Sequence, residues 1–245
     1  MTQDIVILAG GHGTRMGPLA QEHGCKSLIP INGAAALEWL LRALQFVFVD
    51  EARIFLCIER EEIYPGIERV MRRVGGKRTQ IFCSPELKGT MHALYLLRDT
   101  LQGERVFVLY GHQPVLPAHL LKILRRRGAR TITTLYPTSS NVSRKISVIN
   151  GKGRITDLLR GGEEHGLGEN EYYIDVPYLL PMEFVQAQPD DYIKSHEAIM
   201  KWLQAGNPVQ GEVAHFPHEF HYPHELPSIE RFVQRFPKKL LLQTA

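Results

Sequence analysis

The sequence predicts an α/β domain: a mostly parallel central sheet flanked by helices. Short apolar, β-rich runs alternate with stretches of helical periodicity through the first half of the chain. The connections between those runs have the length of crossover units, which join parallel strands covered on both faces. A glycine cluster directly follows the first apolar run. That is the carboxyl edge where such sheets collect their ligands.

In chain order, Ile5–Leu8 reads as a buried strand, four apolar residues bounded by a glycine-rich turn. Leu37, Leu40, Leu41 and Leu44 recur at i, i+3, i+4 and i+7, the spacing of one helix face. Strands are expected at Arg53–Cys57, Thr79–Phe82, Arg105–Tyr110 and Thr131–Leu135. Leu94, Leu97 and Leu101 mark a helix before the fourth strand, and Leu120, Leu121 and Leu124 mark one before the fifth. The second half is less regular. Lys145–Asn150 and Arg154–Leu159 flank Gly151-Lys152-Gly153, a hairpin signal. Tyr172–Leu179 is a strand, residues 161–168 a loop, and Tyr192–Leu203 a helix with Ile199, Met200 and Leu203 inward. Asp190 or Asp191 is placed to cap that helix. Trp39 and Trp202 fall in helical patterns and read as packing residues.

Composition narrows the function classes. The chain has 245 residues, 44% hydrophobic and 22% charged, which excludes disordered and fibrous proteins. No apolar run approaches the roughly 18 residues of a membrane span, so no membrane partner is expected. Asp4 precedes a short apolar run, Ile5–Ala9, which does not read as a secretory signal. Three cysteines, Cys25, Cys57 and Cys83, make no CxxC pair and point to a reducing, cytoplasmic setting. The net charge of +3 suits anionic small substrates. The longest basic block, Arg125-Arg126-Arg127, is too short to argue for nucleic acid.

The stretch LAGGHGTRMG, Leu8 to Gly17, is the most informative. Glycines after a buried strand let the backbone turn and aim N–H groups at an anion. The dinucleotide fingerprint fails, because Met16 stands at its third glycine, and no Gly-Lys-Ser/Thr closes the loop as a Walker A motif would. What remains is a glycine loop with Arg15, followed by Lys26 in CKSLIPING. Two fixed cations beside such a loop match a triphosphate. On composition alone, a tight turn with solvated Arg15 and Lys26 stays open beside that reading. Cys25, next to Lys26, is either an activated thiol or a bystander.

LAGGHGTRMG followed by Lys26, Leu28, Pro30 and Gly33, then LKGTMHALYLL (Leu87–Leu97) and VFVLYGHQPVL (Val106–Leu116), resembles the sugar-1-phosphate nucleotidyltransferase family. Within it the chain is most similar to the pyrophosphorylase domain of N-acetylglucosamine-1-phosphate uridylyltransferase. The resemblance covers residues 4–136 and thins after 140. It implies a Rossmann-like GT-A fold in one domain, 1–245, with a nucleotide-binding half (1–136) and a smaller, irregular β-containing acceptor half (137–245). It also implies transfer of a nucleoside monophosphate from a nucleoside triphosphate to a sugar 1-phosphate, with pyrophosphate released. Carried over by motif, Leu8, Ala9, Gly10, Gly11, Gly13 and Thr14 form the phosphate loop. Arg15 holds the β- and γ-phosphates, Lys26 stabilises charge at the α-phosphate, Gly89 and Thr90 lie against base and ribose, and Gly111 completes the nucleotide contacts. Family members form several assemblies, so a homo-oligomer is open.

Five positions depart from the family pattern. The block at Tyr110-Gly111 continues with His112 where the family has an aspartate for Mg²⁺. EFHYPHEL puts Glu219 at the second metal carboxylate, with His221 competing for the place. The implied cofactor is therefore Mg²⁺, with Mn²⁺ or another divalent ion admitted by the imidazole. The sugar-contacting glutamate and asparagine fall on Arg160 and Asp175, a charge change at both places. Ser84 replaces the base-reading glutamine, so no base preference is inherited. His215, His218, His221 and His224 recur every third residue, but Pro217 and Pro223 interrupt the path, so surface histidines are favoured over a multi-histidine metal site. The change at His112 keeps a second reading alive, a nucleotide-binding protein without turnover.

Overall fold

A computed structural model describes residues 3–48, 51–75, 78–126, 130–137, 145–160, 171–214 and 220–236, with 145–147 and 158–160 described by backbone alone. The strands are β1 (Gln3–Leu8), β2 (Pro30–Ile31), β3 (Ala34–Ala35), β4 (Ala52–Ile58), β5 (Thr79–Cys83), β6 (Arg105–Tyr110), β7 (Thr131–Tyr136), β8 (Lys145–Ile149), β9 (Ile155–Arg160), β10 (Glu171–Pro181) and β11 (Val209–Val213). The helices are α1 (Pro18–His23), α2 (Ala36–Phe48), α3 (Tyr64–Val74), α4 (Thr90–Leu97), α5 (Pro117–Arg125), α6 (Met182–Gln186), α7 (Ser195–Gln204) and α8 (Leu226–Val233).

Among the described residues, nine strands form one sheet in the order β11-β7-β10-β6-β1-β4-β5, with β8 on β10 and β9 on β8. β5, β4, β1 and β6 pair in parallel; β10 is antiparallel to both β6 and β7, and β11 is again parallel to β7. Along that path β10 alone runs backwards. The mostly parallel sheet expected from the sequence is present.

Side-chain alternation along β1 builds two cores. Ile5 and Ile7 face one layer with Leu56, Phe107 and Leu109, packed under α2, α3, α5 and α8. Val6 faces the other, with Phe55, Cys57, Val106 and Val108 under α4, α6 and α7. Because both faces are covered, the central strands read as continuous apolar runs. The leucines on α2 all lie in the first core, and Trp39 beside them donates its indole N–H to the Ile31 carbonyl at 2.8 Å. Trp202 donates to Thr131 Oγ1 at 3.1 Å. Asp4, fully buried, fixes β1 laterally: Arg53 on β4 meets both its carboxylate oxygens at 2.7 Å, and the Gln102 and Gly103 N–H groups donate to Oδ2 at 2.6 and 2.8 Å.

Three details differ from the sequence reading. α7 starts at Ser195 with Lys194 at the N-cap and no side-chain cap. Asp190 and Asp191 do not cap it: Asp190 Oδ1 bonds His92 Nε2 at 3.0 Å, and Asp191 Oδ1 accepts the Tyr192 N–H at 2.6 Å. On α7, Ile199 is buried, whereas Met200 and Leu203 are only partly covered. Leu101 is buried but lies beyond α4, which ends at Leu97. The expected loop at 161–168 lies outside the described residues.

The topology places the site. From β1 the chain steps to β4 and β5 on one side, then crosses to β6 on the other. The reversal opens a crevice at the carboxyl ends of β1 and β6.

Candidate functional site

The loop leaving β1 is held in register on both sides before it turns. Ala9 N–H donates to the Cys57 carbonyl at 2.9 Å, and Gly111 N–H donates to the Leu8 carbonyl at 2.8 Å. Gly10 then presses on the end of β4, where a Cβ would lie 2.7 Å from the Glu59 nitrogen. Gly13 is left-handed, with φ 63° and ψ 32°, and leads into a 3-10 turn, Thr14–Met16. Met16 anchors that turn in the core, leaving Thr14 and Arg15 exposed above it.

Lys26 reaches the loop from a second 3-10 turn, Lys26–Leu28. It is only 9% exposed, and a Cβ on Gly13 would lie 2.5 Å from its Cγ, so the lysine stem fills the space the glycine leaves. Its Nζ lies 3.2 Å from His221 Nδ1 and 5.4 Å from the centre of the Phe220 ring. His112, at the end of β6, stacks on Tyr110 with ring centres 5.5 Å apart and meets Phe220 edge-on at 5.8 Å.

These groups surround a cavity of about 330 Å³, the size of a small-molecule site. It is lined by Leu8, Gly10, Gly11, Gly13, Thr14 and Arg15 from the loop, by Lys26, and by Gly89 and Thr90 at the start of α4. His112 and His221 close it. Eleven positions singled out in the sequence thus share one cavity, and the solvated-turn alternative for Lys26 is replaced by a buried lysine. Ala9 and Gly111 sit behind it instead. A Cβ on Gly111 would lie 2.7 Å from Ser27 Oγ and 3.1 Å from Ala9, so both are the floor on which the loop rests.

The remaining candidates lie elsewhere. Asp175 is 3% exposed in β10 and does not line the cavity; its Oδ1 accepts the Val176 N–H at 2.9 Å and the Tyr178 hydroxyl at 3.3 Å. Burial, with Asp175 adding to it, pushes the Tyr178 hydroxyl well above its usual range, so it stays a neutral donor. Arg160 is placed by its backbone alone, opposite Lys145 in the β8–β9 hairpin. Glu219, His215 and His218 lie outside the described residues, while His224 stacks on Tyr222. Burial pushes the Cys25 thiol up, which removes the activated-thiol reading and leaves the bystander.

Four lining residues were missed in the sequence: Ser27, Glu59, Leu87 and Tyr110. Glu59 and Tyr110 sit at the carboxyl ends of β4 and β6. The edge logic that drew attention to Leu8 applies equally to them.

A divalent metal implied by the family resemblance finds little to hold it. Among the described residues no three His, Cys, Asp or Glu side chains come together as a metal site. The described carboxylate lining the cavity is Glu59, whose Oε2 lies 3.8 Å from His12 Nε2. Mg²⁺ takes hard, mostly anionic oxygens, and the described donor set does not fit it.

A model of the MobA-like NTP transferase domain family matches residues 5–219. The chain belongs to that family. Among curated relatives it is similar to the bifunctional protein GlmU of Stutzerimonas stutzeri, 30% identical over 162 residues, covering 66% of this chain and 32% of that protein. The GlmU of Azotobacter vinelandii is 32% identical over 124 residues, 51% of this chain and 25% of the relative. The chain thus spans about a third or less of the length of these two relatives. The fold is shared with the inositol-1-phosphate CTP transferase from T. maritima, at a TM-score of 0.73 and 14% identity over 96% of both chains. It is also shared with HddC from Yersinia pseudotuberculosis complexed with GMP-PN, at 0.68 and 18% identity over 94% of this chain and 100% of that one. The α/β nucleotidyltransferase fold expected from the sequence is therefore present. Among the described residues no helix is long and apolar enough to cross a membrane.

Proposed function

We propose that this chain transfers a nucleoside monophosphate from a nucleoside triphosphate to a sugar 1-phosphate, or a related phosphorylated acceptor, with release of pyrophosphate. The observation that carries the reading is the burial of Lys26 against the glycine loop that bears Arg15, at the switch point of a parallel sheet. A lysine stem so enclosed gains nothing from solvent, and a bound phosphate is the partner its ammonium is positioned to meet.

The acceptor phosphate oxygen attacks the α-phosphorus in line, so no side chain has to form a covalent intermediate. Backbone N–H groups of Gly11 and Gly13 receive phosphate oxygens. Arg15, exposed at the loop tip, holds the β- and γ-phosphates and then the departing pyrophosphate. Lys26 neutralises charge that grows at the α-phosphate, and its burial strengthens that interaction. Gly89 and Thr90 meet the base and ribose, and the second half, 137–245, supplies the acceptor side, with Arg160 a contact for an anionic acceptor. The described lining offers Mg²⁺ or Mn²⁺ no fitting set of ligands, so neutralising the phosphate charge falls to Arg15, Lys26 and the loop N–H groups. Cys25, Cys57 and Cys83 carry free thiols, which supports a cytoplasmic setting.

The test is pyrophosphate release from purified protein. Five triphosphates (ATP, CTP, GTP, UTP and dTTP) are each paired with a panel of sugar 1-phosphates, with Mg²⁺ and Mn²⁺ in turn and Arg15→Ala as control. Release that requires both substrates and disappears in the variant supports transfer. The histidine at position 112 favours one second reading, a nucleotide-binding protein without turnover; silence across the panel with nucleotide still bound selects it.

A further inference from the structure

We infer that the described residues of this cavity grip the triphosphate through cations and N–H donors and contribute no ligand to a metal. The inference rests on the nucleotide reading above and concerns how that same cavity binds. Its starting point is the contact between Lys26 Nζ and His221 Nδ1 at 3.2 Å. An ammonium has donors and no lone pair, so Lys26 donates and His221 Nδ1 accepts. The lone pair that would bind a metal at Nδ1 is committed to the lysine, and the ring proton is left on Nε2. His221 therefore offers the cavity an N–H donor, the opposite of a metal ligand.

The surroundings agree. The Lys26 stem lies against Gly13 and its Nζ stands 5.4 Å from the centre of the Phe220 ring, so a divalent ion on His221 would face a positive charge. His112 is stacked on Tyr110 and edge-on to Phe220, and it brings a nitrogen where Mg²⁺ takes charged oxygen. Glu59 stands beside His12 in the loop that follows β1. A cavity so arranged favours the fully charged triphosphate over its magnesium complex.

Calorimetry on the full chain tests this, using whichever of ATP, CTP, GTP and UTP binds most tightly, in EDTA and in excess Mg²⁺. We expect binding in EDTA at least as tight as in Mg²⁺. His112→Asp should weaken binding in EDTA about tenfold, by placing a carboxylate against phosphate, and Mg²⁺ should restore it. His221→Ala should weaken binding to a similar degree in both buffers, because a donor rather than a ligand is lost. Mn²⁺ added to nucleotide-free protein should keep the electron-paramagnetic signal of the free ion. Binding at least about tenfold tighter with Mg²⁺ than in EDTA, or Mn²⁺ captured by wild-type protein and not by His221→Ala, overturns the inference and leaves the nucleotide reading standing. Absence of nucleotide binding in both buffers removes that reading and the inference with it. The wild-type comparison needs no variant to fold.

Discussion

Replacing Gly13 by alanine separates a backbone effect from a functional one. Gly13 and Gly75 are both left-handed, at φ 63°, ψ 32° and φ 75°, ψ 29°. An alanine there costs about 1–2 kcal/mol, offset by about 0.4–1 kcal/mol from a less flexible unfolded chain. At Gly75 nothing lies within 4 Å of the added Cβ, so Gly75→Ala should lose at most about 1.6 kcal/mol and nothing else. At Gly13 the Cβ would lie 2.5 Å from Lys26 Cγ and 3.2 Å from Ala20 Cβ. That overlap adds about 1–3 kcal/mol and drives the lysine stem from its place beneath the loop. The ammonium then leaves the phosphates, and a charge-assisted hydrogen bond of about 1.5–3 kcal/mol is lost, or about 10- to 100-fold in nucleotide affinity. Urea denaturation gives the stability change for both variants, and calorimetry at a temperature where both are folded gives the affinity. A folded Gly13→Ala protein that binds nucleotide like wild type would refute the placement of Lys26. So would a Gly75→Ala protein that weakens binding as much.

Other outcomes follow from the same geometry. Asp4→Ala strands the Arg53 guanidinium and two backbone N–H groups and should cost about 3–5 kcal/mol in urea denaturation; a loss below about 1 kcal/mol would contradict the anchoring role. The His92 hydrogen bond holds the Asp190 carboxyl below the usual range. A lowered folded pKa stabilises above the ordinary aspartate value of about 4 and the gain disappears as pH falls below it. The thermal midpoint of Asp190→Asn should therefore trail wild type near neutrality and converge with it in acid; a gap that widens in acid would be the wrong sign. Burial pushes the Cys57 thiol up to about 12 and also raises Cys25. A thiol reagent at mild alkaline pH should reach Cys83 first, slowly because desolvation, with Glu61 and Glu62 adding to it, raises its thiol pKa, and should reach Cys57 only on unfolding. Early labelling of Cys57, read by mass spectrometry, would contradict the packing of β4.

What was legible in the sequence is what local chemistry decides. β1, β4 and β6 read as strands because burial on both faces makes them largely apolar runs. α2 read as a helix because its leucine stripe is wide. α3 was missed: Ile67 and Val70 are its buried residues among Glu68, Arg69, Arg72 and Arg73, and Pro65-Gly66 look like breakers although the proline sits in the first turn, where its missing N–H costs nothing. β11, VQGEV, lies at the sheet edge beyond β7 and carries too few apolar residues to announce a strand. At the site, the phosphate loop was legible because its glycines and Arg15 act through local backbone geometry. Asp175 was not, since β10 runs antiparallel and bulges between Asp175 and Tyr178, so residue spacing does not say which side chains reach the cleft. The Lys26–His221 contact joins residues 195 apart, which no local pattern encodes.

The central claim is that a triphosphate sits on the loop after β1 under Arg15 and Lys26. Its most direct test is a crystal structure of the protein with a non-hydrolysable nucleoside triphosphate. We expect phosphate oxygens on the Gly11 and Gly13 N–H groups, with the Arg15 guanidinium and Lys26 Nζ within hydrogen-bonding distance of them. Phosphates bound away from both cations, or a nucleotide lodged anywhere but this cavity, would contradict it.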